Sequence, residues 1–342
     1  MPNSNYLLPS GSHRRVCALS LFACIVLALA PRAQSQSSED QVHLAPRKEA
    51  GAAPGDSQSS AHNRAGTMRV ATDLVLIPVT VNDAMNRPIM SLGQQNFQLY
   101  EAGEQQKIRY FSTEDSPISV GVLLDLSLSM KNKIDIARQA LSEFFTSSNP
   151  EDDYFVLSFA DRPELLADTT QSIGTLENRL ALATPNGNTA LLDAIYLGMA
   201  KLRRAKYPRR ALLIISDGGD NHSRYGPREI RSLVQESDVE IYAIGIFDTI
   251  FKTYEEWAGQ RLLTDITGAT GGRTITVDDV KKLPEAAAAV SRELRNQYVI
   301  GYRPDNAVHD AKWHKIKVRL APPLPVEPLH VYSKKGYMAP GN

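Results

Sequence analysis

The side chains able to do chemistry gather at three places in the chain. Asp125-Leu-Ser127-Leu-Ser129 follows the apolar run Ser119–Leu124 (SVGVLL). Asn186-Gly-Asn-Thr189-Ala-Leu191 is a polar loop, and Asp217-Gly-Gly219 follows a second apolar run, Ala211–Ser216 (ALLIIS). Together they offer two carboxylates and three hydroxyls, with no thiol and no imidazole. Hard oxygen donors of this kind suit Mg²⁺, Mn²⁺ or Ca²⁺ and not zinc. Each piece also has a plain structural use, Ser129 as a helix N-cap and Asp125 as a turn residue at a strand end. Asp193, Asp220 and Asn221 lie close by in sequence and are expected to shape the loops.

Something must hold these places together. The two apolar runs read as strands buried on both faces, since neither alternates with polar residues. Between and after them the period changes to that of helices, with Ile134, Ala137, Leu141 and Phe144 on one stripe. The spacing predicts strands at 154–159, 240–246 and 273–277. It predicts helices at 134–145, 175–182, 190–204, 228–236, 254–266 and 280–294. Strand-helix alternation means an α/β fold with a doubly wound, mostly parallel sheet. In such sheets ligands bind beyond the carboxyl ends of the strands, so the three places should share one edge.

The flanks read differently. Val75, Ile77, Val79 and Val81 alternate as in a strand, with Pro78 arguing for an edge. Residues 97–108 read as two strands around a turn at Ala102-Gly103, and 298–302, 315–320 and 331–332 return to β character. Residues 69–115 and 297–342 are therefore expected to pair as one small β unit flanking an α/β domain at 116–296. Lys201–Arg210 holds six basic residues in ten, read as a solvated helix end, and Trp257 reads as core or groove-lining. His309 and His314, beside Trp313, read as packed or exposed rather than metal-binding.

At the N-terminus, His13, Arg14 and Arg15 precede the uncharged run Val16–Ala30, and Ala33-Gln34-Ser35 fits a small-x-small cleavage site. Residues 1–35 thus read as a signal peptide, with an uncleaved anchor or a lipid on Cys24 as alternatives. An exported, periplasmic, envelope or secreted location follows. Both cysteines, Cys17 and Cys24, would leave with the leader, so the mature chain could form no disulfide. Residues 36–68, rich in Gln, Ser, Ala, Gly and Pro without an aromatic, read as a disordered linker. Lys plus Arg and Asp plus Glu are equal at 38 each, which gives no electrostatic reason for nucleic acid as a partner.

Asp-x-Ser-x-Ser after a first buried strand, Thr189 about 60 residues on, and Ser-Asp-Gly-Gly after a later strand resemble the von Willebrand factor A (vWA) domain and its metal-ion-dependent adhesion site. The resemblance implies that Ser127, Ser129 and Thr189 supply hydroxyl ligands to a Mg²⁺-class ion, with Asp125 and Asp217 acting directly or through water. Leu128 departs from it, since many relatives carry Gly there. Phe97-Gln-Leu-Tyr-Glu-Ala-Gly-Glu-Gln-Gln-Lys-Ile108, Asn296-Gln-Tyr-Val-Ile-Gly-Tyr-Arg-Pro304, Lys312-Trp-His-Lys-Ile-Lys-Val318 and Lys335-Gly-Tyr-Met-Ala-Pro340 are similar to the exported bacterial vWA-related Acidobacterial family.

The expected function is a non-enzymatic, metal-dependent binding module that takes an exposed Asp or Glu of a partner protein. The alternatives are a structural subunit of an envelope complex with a fold-stabilising metal, and a metal-dependent phosphohydrolase. Against the last, Ser127 stands where a second carboxylate would act as general acid or base. No GxSxG, HExxH or phosphate-loop motif occurs.

Overall fold

The computed structural model describes residues 74–113, 115–247, 254–304, 310–324 and 328–339. The leader, the linker and His309 lie outside them. Four strands come first: β1 (Val75–Asn82), β2 (Phe97–Glu101), β3 (Glu104–Gln106) and β4 (Ile108–Ser112). The alternating section runs β5 (Ser119–Asp125), α1 (Ile134–Ser147), β6 (Asp153–Phe159), β7 (Pro163–Thr170), α2 (Ile173–Ala181) and α3 (Leu191–Leu202). It continues with β8 (Arg210–Ser216), α4 (Pro227–Gln235), β9 (Glu240–Ile246), α5 (Tyr254–Thr270), β10 (Thr274–Val277) and α6 (Leu283–Arg295). Strands β11 (Tyr298–Tyr302), β12 (Trp313–Leu320), β13 (His330–Ser333) and β14 (Gly336–Met338) follow.

The central sheet has the order β10-β9-β8-β5-β6-β7 and is parallel except for the β6–β7 ladder. It is a doubly wound α/β sheet. β5 is buried at all seven positions because both its faces are covered. Val120, Val122 and Leu124 pack with α1, α2 and α6, while Leu123 faces the opposite layer with α3, α4 and α5. Each fully buried aliphatic side chain contributes about 2 kcal/mol of transfer free energy. A polar residue on either face of β5 would forfeit that, which is why the strand reads as an unbroken apolar run.

The flanking strands share ladders across the chain. β1 pairs antiparallel with β11, β11 with β4, and β12 with β2. They form two four-stranded sheets, β13-β1-β11-β4 and β14-β12-β2-β3. A separate core lies between these sheets: Ile77, Val79, Val81, Tyr298, Ile300 and Tyr302 on one, Phe97, Leu99, Ile316 and Val318 on the other. Ala102 and Gly103 have φ of 49° and 96°, the left-handed pair that a two-residue hairpin turn of β2 and β3 requires.

Several elements differ from the sequence expectation. β1 is an inner strand, not an edge. Its ladder to β13 begins only at Val79, so Pro78 has a partner on one side alone and its missing N–H is tolerated there. β7 was not expected at all. It is an antiparallel edge strand whose Glu164 and Leu165 are exposed, so it carries no apolar run to read. The last helix begins at Leu283 after a 3₁₀ turn at Val280–Lys282, three residues later than the periodicity indicates.

Candidate functional site

From β5 the chain moves outward to β6 on one side and returns to β8 on the other. The crevice beyond the carboxyl ends of β5 and β8 is therefore the switch point of the sheet, where two loops diverge and leave room for a ligand. Asp125 ends β5, Ser216 ends β8, and Asp217 follows directly.

Asp125 is fully buried. Its Oδ1 accepts the Ser127 backbone N–H at 2.8 Å and its Oδ2 accepts the Ser216 hydroxyl at 2.6 Å. The Ser216 Oγ also accepts the Gly218 N–H at 3.0 Å, which fixes the turn that presents Asp217. Burial, and then the negative charge of Asp217, push the Asp125 carboxyl up to about 6 against those hydrogen bonds. The Ser127 and Ser129 hydroxyls lie 3.0 Å apart on the loop that opens toward α1.

The third loop is tied to both of the others. Leu126 accepts from the Asn186 N–H at 2.7 Å, and the Leu128 N–H donates to the Gly187 carbonyl at 3.2 Å. Gly187 needs its φ of 70° to turn under Asp161, which accepts the Asn188 N–H and side-chain amide at 2.8 Å each. Those donors hold the Asp161 carboxyl below its usual range. On the other side the Thr189 N–H donates to Asn221 Oδ1, and the Thr189 carbonyl accepts the N–H groups of Asn221 and His222, all at 3.0 Å. Thr189 is thereby held between the 125–129 loop and the 217–222 loop, and it is buried.

The neighbouring acids brace these loops. Asp220 Oδ1 accepts the Leu191 N–H at 2.9 Å and the Ser223 hydroxyl at 2.6 Å, capping α3 from outside its own segment. Asp193 Oδ1 accepts the N–H groups of Arg224 and Tyr225 at 2.9 and 3.1 Å.

Two participants have no role in the sequence reading. Ser216 was legible only as the strand end. Lys133, just before α1, donates from Nζ to Asp217 Oδ2 at 3.0 Å. A signal for it did exist: a lysine at a helix N-terminus opposes the helix dipole and needs another reason to be there. Trp257 is half exposed, with Arg261 over its ring at 5.7 Å, and is not a core residue. Of the basic run, Lys201 pairs with Asp168. Arg209 donates to the carbonyls of Ser116 and Leu294 and to Gln297, so that end is bonded rather than merely solvated.

Gly259 of α5 closes the crevice from the side. A Cβ there would fall 1.3 Å from the Gly218 carbonyl oxygen, a backbone atom that cannot swing away. Gly259→Ala is expected to cost about 1–3 kcal/mol of stability, the range for overpacking, and to displace the Asp217 turn. Urea unfolding checks this, and a loss under 0.5 kcal/mol, within the ordinary scatter of surface changes, would contradict the close approach.

Residues 120–219 match the family model described as the von Willebrand factor type A domain. The chain carries a vWA domain. An uncharacterized protein of Borreliella burgdorferi is 24% identical over 183 residues, covering 46% of this chain and 53% of its own. The chain thus spans about half the length of that curated relative. Among solved structures, the conserved hypothetical protein BatB of Bacteroides thetaiotaomicron is similar at 18% identity and a TM-score of 0.42. That match covers 52% of this chain and 97% of BatB. A von Willebrand factor type A structure from Catenulispora acidiphila is similar at 12% identity and a TM-score of 0.44, covering 77% of this chain and 74% of its own. Among the described residues no helix is long and apolar enough to cross a membrane.

Proposed function

We propose that the vWA domain is a non-enzymatic binding module whose metal-ion-dependent adhesion site is Asp125, Ser127, Ser129, Thr189 and Asp217. One hard divalent ion, Mg²⁺ or in its place Mn²⁺ or Ca²⁺, binds there, and an Asp or Glu of a partner protein completes its shell. The observation that carries this reading is the pairing of two buried carboxylates at the sheet's switch point with two hydroxyls 3.0 Å apart beside them.

The donor set fits such an ion. The Asp125 carboxyl is raised by burial and by Asp217, so the crevice holds more negative charge than its surroundings compensate. A protein cation, Lys133, already lies against Asp217. Beside the two carboxylates, the donors these loops offer an ion are the hydroxyls of Ser127, Ser129 and Thr189. Two carboxylates balance the charge of a divalent ion, and its six or more coordination positions leave room for a further carboxylate from outside. Leu128, in the turn after β5, and Trp257, in the first turn of α5, are exposed and favour a partner whose acid is flanked by apolar groups. The leader read at residues 1–35 sets this module outside the cytoplasm.

Calorimetric titration of Mn²⁺ with and without N-acetylglutamate amide tests the reading. The carboxylate probe should tighten Mn²⁺ binding, and Mn²⁺ should tighten the probe equally, because linkage is reciprocal. Thr189→Ala should keep most of the metal affinity and lose the gain from the probe. Identical Mn²⁺ affinity with and without the probe would remove the partner's carboxylate from the account.

A further inference from the structure

We infer that Lys133 is a built-in competitor for the metal: its ammonium and the divalent ion contend for the Asp217 carboxylate. This deepens the metal-site reading above and rests on it. The Lys133 Nζ donates to Asp217 Oδ2 at 3.0 Å, with the lysine side chain 28% exposed and the aspartate 8%. The pair is therefore largely shielded, and the carboxylate it neutralises is one that a divalent ion needs.

Lys133 gains nothing from its own helix. It stands at the N-cap of α1, makes no side-chain cap there, and faces the positive end of the helix dipole. Asp217 is the ion partner the structure gives it, so the attraction that holds the ammonium is the attraction the ion would use. A divalent charge on the same carboxylate would repel the ammonium at short range in a poorly solvated crevice. The flexible four-carbon stem lets Lys133 swing outward without moving α1.

Two consequences follow. Lys133 keeps the Asp217 turn organised before the ion arrives, and it lowers the ion's apparent affinity. A partner's carboxylate can receive the displaced ammonium as well as the metal, so release of Lys133 strengthens the coupling between metal and partner.

The experiment measures Mn²⁺ affinity, by calorimetry and by the loss of free-Mn²⁺ EPR signal, for wild type, Lys133→Met and Lys133→Arg. Thermal midpoints are recorded in EDTA and in Mn²⁺. Lys133→Met should bind Mn²⁺ about two- to fivefold more tightly, a factor set by a partly screened ion pair. Its midpoint should fall in EDTA and rise further than wild type on adding Mn²⁺. Lys133→Arg keeps the charge and should keep the wild-type affinity. Unchanged or weaker binding by Lys133→Met would reduce Lys133 to a structural partner of Asp217 while leaving the metal site standing. Tighter binding by Lys133→Arg would also overturn the inference, since charge would not be the cause. Absence of saturable Mn²⁺ binding in all three proteins would remove the metal reading, and the competition with it.

Discussion

In EDTA at pH 7, Asp125→Asn is expected to stabilise the protein by about 2–3 kcal/mol, from roughly 1.4 kcal/mol per unit of pKa shift. The same change should abolish divalent-ion binding. Asp125 is fully buried, and its carboxyl is raised from 3.8 to about 6 by burial and by Asp217. The folded state therefore holds the Asp125 proton more tightly than the unfolded state does. The stability this contributes is fully present below about pH 4 and is lost as pH rises through about 6. Above that, the ionised Asp125 is a standing cost. Asparagine keeps an oxygen for the Ser127 N–H and turns its amide to the Ser216 hydroxyl, which can rotate to accept.

The difference between wild type and Asp125→Asn in urea unfolding should therefore be near zero at pH 4 and grow to its full size by pH 7. Other buried acids, Asp152 among them at about 6, titrate equally in both proteins and cancel in the difference. Saturating Mg²⁺ should raise the stability of wild type alone, because an ion bound only by the folded state stabilises it by mass action. If the difference does not vary with pH, the Asp125 carboxylate is not strained by its surroundings. If Mg²⁺ stabilises both proteins equally, the ion binds elsewhere.

A site that lowers the stability of its own fold is where sequence rules and structure part company. The scaffold was legible because its signals are strong. SVGVLL and ALLIIS are apolar at nearly every position, since β5 and β8 are covered on both faces. Asp125 and Asp217 stood out because each interrupts such a run at a strand's end. The loop residues were legible as a pattern but not as a network. That Thr189 is clamped by Asn221, or that Asp220 caps α3, depends on contacts between segments about 30 residues apart. β7 escaped notice because an exposed edge strand needs no apolar face. Lys133 does not stand out in the sequence, because a lysine near a helix start is an ordinary surface residue, although the helix dipole argues against it. The flanking strands showed their alternation plainly. Their division into two sheets did not show, since alternation tells which side chains are buried and not which sheet buries them.

Beneath the sheet, at the edge opposite the crevice, Glu293→Ala should cause the largest loss of stability, about 3–5 kcal/mol, as expected when one partner of a buried ion pair is removed. Glu293 is 1% exposed on α6. Arg273, just before β10, donates to it from Nε at 2.9 Å and from Nη2 at 2.5 Å, and Asn82 at the end of β1 donates from Nδ2 at 2.9 Å. Truncation would leave a guanidinium that is 14% exposed without its counter-charge, and an amide without its acceptor. The same layer holds Gln297, which donates to the buried Glu240 at 2.8 Å and to Thr80 at 3.3 Å while accepting from Arg209 at 2.9 Å. These bonds join β1 to α6 and to the amino-terminal end of β9, so the loss should loosen the flanking sheets from the parallel one. A double-mutant cycle separates the pair from its burial. Arg273→Met with Glu293→Leu should recover most of the stability lost by Glu293→Ala, because a well-packed apolar pair needs no counter-charge. Urea midpoints at pH 7 supply the comparison. A Glu293→Ala loss below about 1 kcal/mol would mean that water reaches Arg273 and that the layer is solvated rather than closed.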